Sequence, residues 1–403
     1  MPDALFLSAE APYPLTGGGA LRSASLLHFL ACHYTLDAIV FREPRAPDPR
    51  LSLPSGLVRD LHILNLPEHS RSTLARAARN AWRLARRVPP LVDRFAGFGE
   101  QIAAVTRGRR YDLAVIEHFW CAPYGDQLAR ISAVTVLDLH NIESVLHERC
   151  ARTEPPAQAV LHRAFQHICR DLEERYLPQF SYLLTASAVD AEHARRIAPG
   201  AHVGVYPNLI PMTPQPDASA EEVIAFSGNL EYHPNRSAVR YFQQSIWPAL
   251  RERWPRLTWR IIGKNPDSVR KFTAHDPRIQ LTGPVGDAVA ELARAKVAIV
   301  PILAGSGTRV KILEAWAAGV PVVSTPAGAE GLPVRDGEHL LLADTAAGFA
   351  DAVSRLLGDA DLRQRIGRAA RYLFECEFSW DAARKYLLFL YPATMERSDA
   401  LRD

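Results

Sequence analysis

The sequence predicts an α/β protein made of two doubly wound lobes, each built on a parallel sheet. Three observations predict it. Short buried runs alternate with helical stretches, a rhythm that implies parallel strands joined by helices. The rhythm occurs twice, and between the two occurrences Tyr206-Pro207-Asn208-Leu209-Ile210-Pro211-Met212-Thr213-Pro214-Gln215-Pro216 holds four prolines in eleven residues, a composition that continues neither a helix nor a central strand. A chain of 403 residues also exceeds the ~150 of a common single domain. The expected division is a first domain at 1–206, a linker at 207–216, a second domain at 217–375 and a terminal helix and tail at 376–403.

The elements follow in order. Residues 4–8 read as a buried strand, followed by the turn Pro14-Leu15-Thr16-Gly17-Gly18-Gly19. A helix then runs to about His33, with Leu21, Ser25, Leu26 and Phe29 near one face. Strand-like runs recur at 35–41, 61–64, 113–116, 134–137, 182–185 and 202–205. After the prolines come a strand at 223–226, a helix at 235–250, strands at 259–262, 279–281 and 297–300, a helix from about 308 to 318 and a strand at 322–324. Helices at 346–357 and 360–374 close the second domain, and an apolar helix at 380–390, carrying Tyr386, Leu387, Phe389 and Leu390, has a structural role.

Hydrophobic residues make up 48% and charged residues 23%, ample for sizeable cores in a soluble protein. The net charge of +3 does not imply a polyanionic partner, although arginines far outnumber carboxylates between Arg42 and Arg110. Cys32, Cys121, Cys150, Cys169 and Cys376 are scattered, with no paired spacing. That pattern reads as reduced thiols rather than a disulfide frame or a zinc site. Leu5-Phe6-Leu7 is too short for a signal sequence, and no stretch approaches the ~18 apolar residues of a membrane span. A cytoplasmic protein is expected.

Residues 71–87 have the composition of a basic helix. Leu74, Ala78, Ala81, Trp82 and Ala85 trace an apolar face, and Arg76, Arg79, Arg83, Arg86 and Arg87 surround the rest. Two readings stay open: a helix packed on the first lobe with a solvated basic face, or a peripheral contact with the inner face of a membrane, reaching a lipid-linked acceptor. Nucleic acid is not expected, because no aromatic stacking platform accompanies the arginines.

In open α/β sheets ligands bind beyond the carboxyl ends of the strands. The strand at 297–300 leads into Gly305-Ser306-Gly307-Thr308-Arg309-Val310-Lys311-Ile312-Leu313-Glu314. Small residues let backbone N–H groups approach an anion, the helix N-terminus favours negative charge, and Thr308 suits an N-cap. Arg309 and Lys311 add cations suited to a diphosphate. Residues two apart do not share a helix face, so both serve only if one precedes regular helix. Lys311 and Glu314 do share a face, which leaves a surface salt bridge as the bland alternative. The helix ends at Gly319, a short β-branched strand follows, and Gly328-Ala329-Glu330-Gly331 forms another glycine-rich loop on the same sheet edge.

The stretch from Gly305 to Leu332 resembles the donor site of retaining GT-B glycosyltransferases of family 4, the glycosyl transferases group 1. The resemblance implies a GT-B fold with a cleft between two Rossmann-like lobes and a last helix crossing back to the first. In such proteins a glutamate in Glu314's position accepts the ribose hydroxyls, and a second one stands where this chain has Ser306. A further likeness, Phe226-Ser227-Gly228-Asn229-Leu230-Glu231-Tyr232-His233-Pro234-Asn235, puts Asn229 and Asn235 where many relatives carry the Arg and Lys of a diphosphate clamp. Ile262-Gly263-Lys264 and Thr282-Gly283-Pro284-Val285 look like the family's runs, with the backbone near Val285 against the base. The resemblance thus implies donor-binding roles for Gly18, Gly19, Gly228, Asn229, Gly263, Val285, Ser306, Gly307, Thr308, Glu314 and Glu330. It gives Arg309 and Lys311 the departing phosphate, and His140, at the end of the strand at 134–137, the donor sugar near its anomeric carbon.

Glu117 and His118, at the end of the strand at 113–116, are expected on the acceptor side, and Asp138 as a loop or helix cap. The implied reaction moves a sugar from a nucleotide-diphosphate sugar to an acceptor hydroxyl with retention, in cell-surface polysaccharide, glycolipid or natural-product synthesis. It needs no cofactor beyond that co-substrate and no metal. The Asp359-Ala360-Asp361 triplet follows no strand and reads as a helix N-cap. A nucleotide-sugar epimerase, a phosphorylase or a non-catalytic two-lobed binder on the same fold are the alternatives.

Overall fold

The structure, a computed structural model, describes residues 1–15, 17–70, 72–153, 156–217, 221–304 and 310–387. It divides into two compact units, one made of Met1–Pro207 with the segment from Ala383, the other of Asn208–Ala382. In the first unit the strands are β1 (Asp3–Ser8), β2 (Thr35–Arg42), β3 (Asp60–Asn65), β4 (Tyr111–Glu117), β5 (Ser132–Leu139), β6 (Tyr182–Thr185) and β7 (Val203–Val205). They form one parallel sheet in the order β3-β2-β1-β4-β5-β6-β7. β1, β4 and β5 are nearly continuous apolar runs because helices cover both faces of such a sheet. Phe41 meets Phe95 and Phe98 edge-on at 5.1 and 5.0 Å, filling one side of the core.

In the second unit β8 (Glu221–Ser227), β9 (Thr258–Ile262), β10 (Ile279–Gly283), β11 (Ala295–Val300), β12 (Val322–Ser324) and β13 (Leu341–Leu342) form a parallel sheet ordered β10-β9-β8-β11-β12-β13. Both orders reverse direction once, at β1/β4 and at β8/β11. The carboxyl ends of strands flanking such a switch point leave a crevice, the place where this architecture binds ligands.

Several expectations change. The proline-rich run is no free linker. Leu209 and Ile210 are buried, and Ile210 exchanges backbone hydrogen bonds with Phe378 and Trp380. Prolines end a strand without preventing apolar neighbours from packing. The helix expected at 235–250 is three pieces, His233–Tyr241, a wider π turn at Phe242–Ile246 and Trp247–Arg253. Pro248 supplies no N–H to the ladder, and the widened turn precedes it. Of the terminal helix at 380–390, a 3-10 turn (Trp380–Ala382) and a short helix (Ala383–Leu387) are described, the latter packed on the helix Gly18–Ala31. Its Phe389 and Leu390 lie outside the described residues. The Asp359 side chain does cap the helix Ala360–Glu377, accepting from the Leu362 N–H at 2.9 Å.

The basic helix spans Thr73–Ala85, oriented unlike the reading that packs its apolar face on the first lobe. The apolar face points outward: Leu74 is 85% and Trp82 63% exposed, and Ala78, Ala81 and Ala85 are exposed with them. Arg83 is buried instead, paired with Asp93 at 2.8 Å, and Arg79 donates to the Ser70 carbonyl. The partly buried Asp93 draws Arg83 inward, while Arg76, Arg86 and Arg87 stay exposed together with the apolar stripe.

At the end of β9, Gly263 has φ 140°, and a Cβ on it would stand 1.9 Å from the Gly228 carbonyl oxygen. Backbone packs on backbone there, and no side chain fits. Gly263→Ala is therefore expected to lose about 2–4 kcal/mol in urea unfolding, from strain plus a forced separation of β8 and β9. An unchanged midpoint would contradict the close approach.

Candidate functional site

Each switch point carries a polar cluster. In the first unit it gathers residues beyond the ends of β1, β4 and β5 with one face of the helix Gly18–Ala31. Arg22, fully buried, donates through Nε to Asp138 Oδ2 at 2.7 Å and through Nη2 to the other carboxylate oxygen. Its Nη1 reaches the Tyr206 carbonyl, whose own hydroxyl meets Ser25 Oγ at 2.7 Å. Asp138 is thus the anchor of an internal ion pair rather than the loop or helix cap expected from sequence. Burial pushes its carboxyl up, but Arg22 and His140 outweigh that and hold it well below the usual range.

Glu117 is also fully buried, not open toward an acceptor. Its Oε2 accepts from Ser23 Oγ at 2.8 Å and meets His140 Nε2 at 2.6 Å. Burial and the neighbouring Asp138 charge raise its pKa. Burial draws the His140 imidazole down, yet Asp138 and Glu117 prevail and push it up to about 9. His118 lies against the His140 ring at 3.6 Å and stacks on Trp120 at 4.1 Å, with burial and the His140 charge lowering it to about 4. Its backbone has φ 68° and ψ 137°, a conformation costly for a non-glycine residue and concentrated at functional sites. Glu10 Oε1 approaches His118 Nε2 at 3.6 Å, and that carboxylate occupies the space a Cβ on Gly19 would need. Gly18 opens the helix beside it.

Glu117, His118 and His140 are the group, among the described residues, whose potential metal-ligating atoms converge within 4.8 Å. Their arrangement suits an ion pair better than a metal. Two imidazoles sharing an ion at about 2.1 Å must aim their in-plane lone pairs at one point. Rings 3.6 Å apart and only 32° from parallel aim them side by side, and His140 Nε2 is already engaged by Glu117.

In the second unit β8 ends at Ser227, followed by Gly228 at φ 150°. The helix Val310–Ala317 brings Lys311 and Glu314 to that strand end. Glu314 Oε2 accepts from Ser227 Oγ at 3.0 Å, and burial raises its pKa. Lys311 Nζ donates to Asn235 Oδ1 at 3.0 Å and sits 5.3 Å from the Phe226 ring centre. Asn235 Nδ2 in turn donates to the Asn229 carbonyl at 2.8 Å, and Asn229 Oδ1 accepts from Asn265 Nδ2. Lys311 thus reaches across from the helix after β11 to the amide at the start of the helix after β8. Gly263 packs against Gly228, and half-buried Val285 follows β10 by two residues. Glu330 ends the short helix Pro326–Ala329 beyond β12. Gly305, Ser306, Gly307, Thr308 and Arg309 lie outside the described residues.

Residues 221–359 match the family described as "Glycosyl transferases group 1". That stretch holds β8, Lys311 and Glu314. The lipopolysaccharide core biosynthesis glycosyltransferase LpsE of Rhizobium meliloti is 40% identical over 73 residues, which are 18% of this chain and 22% of that protein. The chain spans 22% to 36% of the length of the curated relatives it matches. Among solved structures, sucrose-phosphate synthase from Thermosynechococcus elongatus superposes with a TM-score of 0.73 at 15% identity, over 98% of this chain and 99% of its own. HepE from Anabaena, solved with UDP and glucose, gives a TM-score of 0.63 at 15% identity over 97% of this chain and 100% of its own. The fold is GT-B.

Sequence reading missed Arg22, Ser23, Ser227 and the part played by Asp138. A usable signal existed for two of them. Arg22 is the one arginine in the run Gly18–Ala31, and Asp138 interrupts the apolar run of β5. Opposite charges inside two otherwise buried segments call for each other. Asp138→Asn, which leaves Arg22 buried without its counter-charge, is expected to cost about 3–5 kcal/mol in denaturant unfolding. Arg22→Met combined with Asp138→Leu should recover much of that loss. A double variant no more stable than Asp138→Asn would deny the pairing its assigned weight.

Proposed function

We propose that the protein is a glycosyltransferase that takes a nucleotide-diphosphate sugar as donor and transfers the sugar to an acceptor hydroxyl. The observation that carries this reading is the Ser227–Glu314 and Asn235–Lys311 pairing at the β8/β11 switch point. It lies in the segment matched to group 1 glycosyltransferases. Glu314 offers a desolvated carboxylate to the two ribose hydroxyls. Lys311 supplies an ammonium to the diphosphate, assisted by Arg309 and the backbone of Ser306, Gly307 and Thr308. Cations placed where charge develops on the departing phosphate lower the barrier without a dedicated acid or base. That economy favours retention through same-face attack, with the leaving diphosphate taking the acceptor proton, and needs neither a metal nor a further cofactor. His140 is assigned to the donor sugar.

HepE's structure with UDP and glucose and the match to LpsE favour a UDP-sugar donor and a cell-surface glycan or glycolipid product; a cytoplasmic site of action is part of the proposal. Among the described residues no helix is long and apolar enough to cross a membrane. Peripheral contact through the helix Thr73–Ala85 is part of the proposal, and it rests on the exposed Leu74–Trp82 stripe more than on charge. Arg83, Arg86 and Arg87 already face Asp93 and Asp171.

Titration calorimetry with UDP-, GDP- and dTDP-sugars is expected to show binding of one nucleotide class. Glu314→Ala should weaken it on the order of 100-fold, the loss of two hydrogen bonds to a charged acceptor. Full affinity in that variant would remove the ribose assignment. Binding without nucleotide release, with every acceptor class offered, would favour the non-catalytic binder. In vesicle co-sedimentation with anionic lipid, Trp82→Glu should abolish binding while added salt weakens it little. Steep salt dependence would instead point to the arginines.

A further inference from the structure

We infer that Glu117 is a positioning residue, holding the His140 ring in one orientation and keeping a shared proton on the pair, so that the first unit presents a fixed donor rather than a titrating base. Charge accounting in a desolvated region leads there. Two carboxylates, Asp138 and Glu117, are each 0% exposed. One guanidinium, Arg22, is committed to Asp138 through two hydrogen bonds. Left alone, the cluster would bury a net negative charge, which a low-dielectric interior does not tolerate. A single proton on Glu117–His140 balances it.

The other groups packed around the pair are poor homes for that proton. His118 follows β4, and its ring lies 3.6 Å from His140, so a second imidazolium would face the first across an apolar stack. The carboxylate near it, Glu10, is half exposed and 3.6 Å away. Tyr206 keeps its hydroxyl proton, raised by burial and shared with Ser25 on the helix Gly18–Ala31. Glu143, on the helix Glu143–Thr153, accepts from Trp120 Nε1 at 3.0 Å, and burial pushes it up to about 7, so below neutral pH it is balanced by a proton of its own and leaves the charge of the Glu117–Asp138–Arg22 group unchanged. Geometry closes the case: Ser23 Oγ fixes the Glu117 oxygen that meets His140 Nε2 at 2.6 Å, and Asp138 Oδ2 stands 3.4 Å from the same nitrogen. Ring rotation would break both contacts.

The kinetic part of the test rests on the assignment of His140 to the donor sugar, while the spectroscopic part does not. In the full-length protein with isotopically labelled histidine, NMR titration should find the His140 resonance, assigned by its loss in His140→Gln, changing near pH 9. Glu117→Gln should lower that value by about one unit or more, because a neutral amide offers no counter-charge. Glu117→Asp, which keeps the charge, should restore part of it. If His140 is the sugar contact, the alkaline limb of kcat/KM moves down with the resonance. A lowered resonance with an unmoved rate profile upholds the pairing and removes His140 from the proposed reaction. A resonance that titrates near 6.5 in the unaltered protein, or one that Glu117→Gln leaves in place, overturns the inference whatever the rates do. The titration of the unaltered protein decides even if Glu117→Gln fails to fold.

Discussion

The Arg22–Asp138 ion pair is the constraint on which the first unit's polar interior depends. Arg22 lies on a helix that leaves β1, Asp138 lies on β5, and the same guanidinium binds the carbonyl of Tyr206 just past β7. One side chain therefore ties together three segments far apart in sequence. It also sets the charge state of everything nearby. With Asp138 neutralised by Arg22, Glu117 must find its own counter-charge, and His140 is within reach. The tuned group at the rim follows from a structural pair in the core.

The second unit solves a related problem with fewer charges. Ser227 and Asn235 are neutral, and each orients a titratable partner brought by the next described helix after β11, Glu314 and Lys311 respectively. The two amides hold one another and the loop after β9 through the Asn229 carbonyl and Asn265. The β8 side of the switch point carries neutral acceptors, and they draw an ammonium from the β11 side.

The fold was legible because parallel sheets buried on both faces write themselves as apolar runs spaced by helices, and each sheet strand longer than two residues left such a run. β13 did not, since two residues carry no period. Gly228, Gly263, Lys311 and Glu314 were named from the sequence and its family resemblance, and the structure gathers them at the end of β8. Glu117 and His118 were named for the acceptor side, and their burial was not legible, because a strand-end position says nothing of it. The sequence left two orientations open for the helix Thr73–Ala85: periodicity shows that two faces differ, while the Arg83–Asp93 pair, supplied by tertiary structure, fixes which residue turns inward.

The Lys311–Asn235 contact has one more consequence. The Asn235 amide gives the Lys311 ammonium a direction and contributes no charge to it. Such a bond nets on the order of 1 kcal/mol, against roughly twice that for a contact with an ionised oxygen. In the proposed donor site, a phosphate that takes this ammonium would exchange the weaker bond for the stronger one and leave the Asn235 oxygen as an acceptor for the rest of the ligand.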